Sequence, residues 1–361
     1  MKIKVLFFMC SGFILSACTE DLCQVRKINF NGIELKWIKT IDTGGYYQNQ
    51  IVMHGDSAYI VDSGNNVVHK IDLHSLSLTK AFIDLGQNAN PYALTVSEGR
   101  FYIVNSILTN VVSASLESPS SLEIVLDSGD LISPAFVTAT KGSVIVVDSE
   151  FDYLNADNTK GTLIVIADGV KQTVKTVNPN PQFAYVIEDS LVVVCSGVTK
   201  FDVDYAVIPP EKSCLEVYNL VDLTQAPVIS CVENTSLSHL TFTSEAIFAG
   251  SGTSASIHRF SRESYAFEHT IEIGEANEVG MTYPLAFDDS ILAVSNFNHD
   301  SLSVVSASSS PSMIGTLKLS LTDYNRLGPI GLAFDRDRGN LFVVYSLAGI
   351  VDVFQVDFVG H

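Results

Sequence analysis

Basic residues are scarce in this chain. Against 40 Asp and Glu stand 21 Lys and Arg, giving a formal net charge of −19. Such a surface repels a phosphate backbone and has no electrostatic pull toward anionic headgroups, which excludes nucleic-acid binding. Cationic partners and divalent metals stay compatible with it. Charge of either sign is also sparse, at 17% of residues against 47% hydrophobic, which excludes a disordered chain. No window of a dozen residues shows helical periodicity with caps, so a helical bundle is excluded as well. Beyond the N-terminal segment no apolar run approaches the roughly 18 residues of a membrane-spanning helix. The eight histidines form neither HxH nor HExxH, which leaves no zinc motif. The six cysteines form neither CxxC nor CxxCH, which removes a thioredoxin-type pair and covalent c-type haem. Gly250-Ser251-Gly252 is too short for a phosphate loop or a nucleophile elbow. Asp335 to Asn340 lacks the spacing of an EF-hand and reads as a solvated hairpin turn.

What the chain has is a repeat. Ile41-Asp42-Thr43-Gly44, Ile83-Asp84-Leu85-Gly86, Leu126-Asp127-Ser128-Gly129 and Ile271-Glu272-Ile273-Gly274 each end one strand-like run and precede another. A proline with an apolar run follows most of these points, at Pro91, Pro134, Pro181, Pro284 and Pro329. Two further β-rich runs complete each unit, for example Phe101 to Val104 and Val111 to Ser115. The period is roughly 43 to 55 residues, and four strands per unit at this period is the pattern of a β-propeller blade. The unit recurs seven times. Six blades would require merging two units between residues 180 and 270. The expected fold is therefore all-β, a seven-bladed β-propeller.

The last unit starts near Pro329 and holds only three strands. Lys36 to Asp42, which matches the outer strand of the other units, precedes the first complete one. The N-terminal strand is thus expected to complete the last blade, which removes a free sheet edge. That places Trp37, the single tryptophan, beside the strand holding Val351 and Val353, in a packing role. The expected division is a signal at 1–17, a tether at 18–32 and the propeller at 33–361.

Two resemblances add to this reading. Lys2 and Lys4, the apolar run Val5 to Leu15 and then Leu15-Ser16-Ala17-Cys18 resemble a bacterial lipoprotein signal. The resemblance implies cleavage before Cys18 and lipid on its thiol, hence an envelope protein held by acyl chains. Thr19 stands where an inner-membrane retention signal would have aspartate, so the resemblance implies the outer membrane of a Gram-negative host. Asn90-Pro91-Tyr92-Ala93-Leu94-Thr95-Val96, Gly99 to Asn105 and Asn110-Val111-Val112-Ser113 resemble the YncE-like, or YVTN, family of β-propellers. Tyr59-Ile60-Val61-Asp62 echoes it, while Cys195 and Tyr345 stand where the family has asparagine. The motif implies a fold and leaves the function open.

Four cysteines remain after Cys10 and Cys18 are set aside. Cys214 and Cys231 lie on a strand and its return, which makes them the expected disulfide. Cys195 is the rival partner for either, and Cys23 is free or bonded to Cys195; spacing does not decide. Oxygen-bearing residues end the second strand of several units: Asp62, Asn105, Asp148 and Asn296. Turn duty explains them, since Asp and Asn bond their own backbone. The alternative is a Ca²⁺ site at the channel mouth, because Ca²⁺ takes six to eight oxygens. Two long loops, Ser149 to Gly161 and Gly197 to Ser213, are expected to share one rim and form a partner surface carrying Asp152, Asp157, Lys200, Asp202 and Tyr205.

The sequence thus points to a lipid-anchored monomeric binding or scaffold module of the cell envelope, contacting a protein or polymer and needing no cofactor. The alternative is a Ca²⁺-dependent lactonase or hydrolase, which related propellers imply.

Overall fold

Burial sorts the strands by their place in the sheet. Second strands such as Ser57–Asp62, Ser190–Cys195, Ile291–Asn296 and Asn340–Tyr345 are buried along nearly their whole length. Their sequences are near-continuous β-branched and apolar runs, as strands covered on both faces require. Outer strands such as Leu78–Asp84 and Phe267–Glu272 are mostly exposed and correspondingly polar. The structure is a computed structural model that describes residues 27–30, 32–140, 142–151, 160–198, 200–201, 207–274, 279–319 and 327–358.

Seven antiparallel sheets follow one another along the chain. Blades 1 to 6 take residues 48–84, 91–126, 134–179, 181–233, 237–272 and 282–318. Blade 7 combines Pro329–Asp335, Asn340–Tyr345 and Ile350–Phe358 with Ile33–Asp42 from the other end of the chain. The first strand of each blade packs against the first strand of the next, and that of blade 7 against Gln48–His54 of blade 1, so the circle closes around these inner strands. The fold is a seven-bladed β-propeller.

Closure runs through the strand expected from the sequence. Trp37 pairs with Phe354, Lys39 with Val353 and Ile41 with Val351, with a bulge between Trp37 and Lys39. Buried Asp352 joins the two chain ends: it accepts from the indole N–H of Trp37 at 3.3 Å, the hydroxyl of Thr40 and the hydroxyl of Tyr345. A fifth strand, Lys27–Phe30, adds to the outside of this blade, within the stretch the sequence pattern reads as tether.

The hydrophobic core is a series of layers between blades. Tyr59, Val61 and Ile83 of blade 1 meet Leu94, Phe101 and Ile103 of blade 2. Phe342, Val351 and Val353 of blade 7 meet Ile51, Ile60 and Ile71 of blade 1. Each blade thus has two packed faces, and none has a complete core alone.

The propeller has two unlike faces. On one, short hairpins join inner to second strands, of two residues in blades 1, 2 and 4; Glu98-Gly99 has φ values of 48° and 74°, the pairing of positive angles that suits strand twist. We call this the hairpin face. On the other, the mouth face, second strands end and inner strands begin. There Pro91 pairs with Asn105, Pro134 with Asp148, Pro181 with Cys195 and Pro329 with Tyr345, each followed by a bulge. Proline is tolerated at these strand starts, where a ladder donor is dispensable.

Candidate functional site: the mouth face and the axial pocket

Asp62, Asn105, Asp148 and Asn296 occupy the same position, the last residue of a six-residue second strand, and all are buried. Each makes its bonds close to home. Asp62 accepts from the backbone N–H and side-chain amide of Asn65, both at 3.0 Å, and from His69 at 3.0 Å. His69 Nδ1 accepts the Ala81 N–H at 3.2 Å, so its Nε2 carries the proton given to Asp62. Asp148 accepts the N–H groups of Ile132, Ser133 and Glu150 at 2.8, 2.7 and 3.2 Å. Burial nevertheless pushes its carboxyl above the usual range. Asn105 gives its amide N–H to Asn110 at 2.9 Å, and its oxygen, like that of Asn296, is buried without a partner. The two carboxylates face N–H donors, which occupy the oxygens a cation would need. Among the described residues no three His, Cys, Asp or Glu converge on one point. As a set, the four residues do not fit a shared Ca²⁺ site.

Blade 4 carries the cysteines. Cys195, Cys214 and Cys231 lie side by side on three adjacent strands, Cys195 opposite Cys214 and Cys214 opposite Cys231. The disulfide joins Cys214 to Cys231, with Cα atoms 4.0 Å apart, and Cys195 is a free, buried thiol. The rival pairing of Cys195 with either of them is therefore not formed. Burial, reinforced by the Glu216 carboxylate, pushes the Cys195 thiol well above its ordinary range, so it is no ready nucleophile. Glu216 is itself buried and accepts from the Asn178 amide at 2.8 Å, the Val177 N–H at 3.1 Å and the Tyr218 hydroxyl, tying blade 3 to blade 4.

The blade 4 insertion forms a small ribbon, Lys200–Phe201 against Val207–Ile208. It roofs a cavity of about 390 Å³ whose walls include Cys195, Lys200, Pro209 and Pro210. Cys18, Cys23, Asp152, Asp157, Asp202 and Tyr205 lie outside the described residues. Of the proposed rim, Lys200 is exposed on the ribbon.

Two features of the mouth face were not singled out from the sequence. The first is a set of exposed apolar side chains. Tyr46 and Tyr47 are 50% and 53% exposed, Ile107 64%, Ile132 65% and Val279 67%; Leu108 and Leu347 join them. All lie in loops between blades or between second and third strands. The tyrosine loop crosses the seam between blades 7 and 1 and is pinned by its backbone. Thr43 and Tyr47 donate to Gly349 and Ser346 at 3.0 and 2.6 Å, and Gly64 donates to Tyr46 at 3.1 Å. A Cβ on Gly349 would lie 2.0 Å from the Gly45 oxygen, so the crossing requires glycine there.

The second feature is the axial pocket of about 170 Å³ lined by the inner strands. One side is aromatic and comes from four blades: Phe136, then Tyr185, then His239, then Tyr283, with Phe183 packed behind Phe136 and His239. His239 stacks 4.1 Å from Phe183 and 4.8 Å from Tyr283 between ring centroids. Phe136 lies 5.6 Å from Tyr185. The other side is Asn49 and Gln50 of blade 1 with Ile330 and Leu332 of blade 7. Tyr185 accepts the Leu240 N–H at 3.3 Å and contacts His239 Nδ1 at 2.9 Å. Burial pushes the His239 imidazole down to about 3, so it is neutral near pH 7. Nδ1 is the one acceptor among the described residues for the Tyr185 hydroxyl hydrogen, so the hydroxyl donates to Nδ1 and the imidazole proton is assigned to Nε2. A proline followed within a few residues by an aromatic, as in Pro134-Ala135-Phe136 and Pro181-Gln182-Phe183, was the available signal.

No family profile matches the sequence, and no curated protein sequence is similar to it. Solved structures of the same shape are plentiful. The chain is similar to virginiamycin B lyase from Staphylococcus aureus, with a TM-score of 0.64 and 11% identity over 90% of this chain and 99% of that one. It is similar to a chain of Kuenenia stuttgartiensis hydrazine synthase, with a TM-score of 0.67 and 12% identity over 95% of this chain and 99% of that one. It is also similar to the WD40 β-propeller domain of Doa1, with a TM-score of 0.59 and 12% identity over 90% and 97%. At this identity the likeness is one of fold.

Proposed function

We propose that the chain is a binding module of a bacterial cell envelope, a monomer held to the outer membrane by lipid on Cys18, which seats a protein or polymer on its mouth face. The observation that carries this reading is the apolar set on that face, above all Tyr46 and Tyr47 on a pinned loop. Tyrosine gives a large contact area with few rotamers to freeze, and a fixed loop lowers the ordering cost of binding. Exposed apolar side chains gathered on one face mark interaction surfaces more often than chance scatter. The propeller shape is shared by a lyase and by a WD40 domain, so shape alone does not choose between catalysis and scaffolding. The YVTN-like sequence of blade 2 and the lipoprotein-like N-terminus support an envelope setting. The net charge favours a partner with a cationic rim.

The test is capture from envelope extracts by the full chain and by the triple variant Tyr46→Ser, Tyr47→Ser, Ile132→Ser. The wild type retains a discrete partner, and the variant loses it by tenfold or more, about 1.4 kcal/mol. Equal recovery by both removes the mouth face from the account.

A further inference from the structure

The axial pocket has a size, a chemistry and two unused donors, and together they define a ligand. Its volume is about 170 Å³. An apolar cavity of about 150 Å³ takes one benzene. The room thus fits one six-membered ring. The wall of Phe136, Tyr185 and Tyr283 offers faces and edges for such a ring to stack against.

Among the described residues no Asp, Glu, Lys or Arg lines the pocket. An ionised ligand would be buried there without a counter-charge, which is costly. Two polar groups point to a neutral acceptor. His239 Nε2 makes no hydrogen bond with any described residue, while Nδ1 is held by Tyr185. Gln50 uses its oxygen to accept the Leu94 N–H at 2.7 Å, and its amide N–H₂ is left over. Both of these groups donate, and Asn49, whose amide N–H₂ is used, offers its oxygen as an acceptor.

We propose that the axial pocket binds a single six-membered aromatic ring bearing a neutral hydrogen-bond acceptor such as an amide carbonyl, with the acceptor on His239 Nε2–H. Tyr185 is a positioning residue: it fixes which imidazole nitrogen carries the proton. The site stands apart from the mouth-face reading, because none of Tyr46, Tyr47 or Ile132 lines it. The ring arrives as a free molecule or at the end of a bound chain, and the chemistry is the same.

The test uses ¹⁹F NMR on the full chain with three probes: 4-fluorobenzamide, fluorobenzene, and a 4-fluorobenzoyl group capping Gly-Gly. The amide binds saturably and at least several-fold tighter than fluorobenzene. His239→Phe, which keeps the stacked ring and removes the donor, weakens the amide about tenfold and leaves fluorobenzene unchanged. Tyr185→Phe, which keeps the wall and frees the imidazole, weakens the amide by a smaller factor. Saturable binding of the capped peptide without the free amide assigns the ring to a chain end; the reverse assigns it to a small molecule. The Tyr46, Tyr47, Ile132 triple variant binds the amide as wild type does. Absence of saturable binding by both amide probes overturns the proposal, as does equal affinity for amide and fluorobenzene in wild type and His239→Phe alike.

Discussion

The two faces of the propeller are made from the same kind of segment, short connections between antiparallel strands, yet they expose different chemistry. The hairpin face presents charge. Arg338 bridges Asp56 and Asp335 there, and Arg262 reaches Glu188 at 3.0 Å. Among its described turns Leu122 and Val221 expose a large apolar side chain. The mouth face presents Tyr46, Tyr47, Ile107, Ile132, Val279 and Leu347. Turn chemistry accounts for the hairpin face, where glycines and acids satisfy the backbone and water satisfies the rest. It does not account for exposed isoleucine and tyrosine, which no turn needs. The difference is that turn formation explains the residues of one face and leaves the exposed apolar side chains of the other for the proposed binding role.

Acid should have the largest effect, and it acts on the strands between the two faces. His258 is buried in blade 5, with Nδ1 3.1 Å from the Thr270 hydroxyl, and burial lowers it to about 4. His239 is lowered to about 3. Both pKa values fall on folding from an ordinary value near 6.5, so the neutral forms stabilise the fold fully above that pH. That stability is lost as pH drops toward the folded values. His258 alone contributes about 3 kcal/mol between pH 7 and pH 4, and His239 adds to it. The raised carboxyl of Asp148 works in the opposite direction. Urea melts at pH 7 and pH 4 should show the loss, and His258→Gln should flatten it; an unchanged slope in that variant would remove His258 from the account.

Next in size is the staple of blade 4. The Cys214–Cys231 bridge spans 17 residues, and closing a loop of this length restricts the unfolded chain by about 3 kcal/mol. Replacing both cysteines with serine should lower stability by up to that amount in denaturant melts while leaving the hairpin face intact. Stability equal to wild type would show that strand pairing alone holds the blade.

The circle was legible in the sequence because each blade repeats the same four runs, and closure was legible because the last unit lacked a strand that the first stretch supplied. Trp37 beside Phe354 follows directly from that count. The cysteine pair was legible from one strand and its return. Asp62 and Asp148 were legible as second-strand ends and not as a group. Their position says oxygen, and only the structure shows that N–H donors already face them. The axial wall was hidden for a different reason. Phe136, Tyr185, His239 and Tyr283 come from four blades spread over about 150 residues, and each looks like packing on its own half-buried strand. Only closure makes them neighbours. The strand Lys27–Phe30 and the ribbon at Lys200 to Ile208 were hidden because neither repeats.

The most direct measurement is a hydrogen–deuterium exchange footprint of the chain with and without its captured partner. Binding at the mouth face predicts slowed exchange at residues 43–47, 106–109 and 127–133, with residues 98–99, 168–169 and 336–339 unchanged. Protection of the hairpin turns with the tyrosine loop left exchanging as before would contradict it.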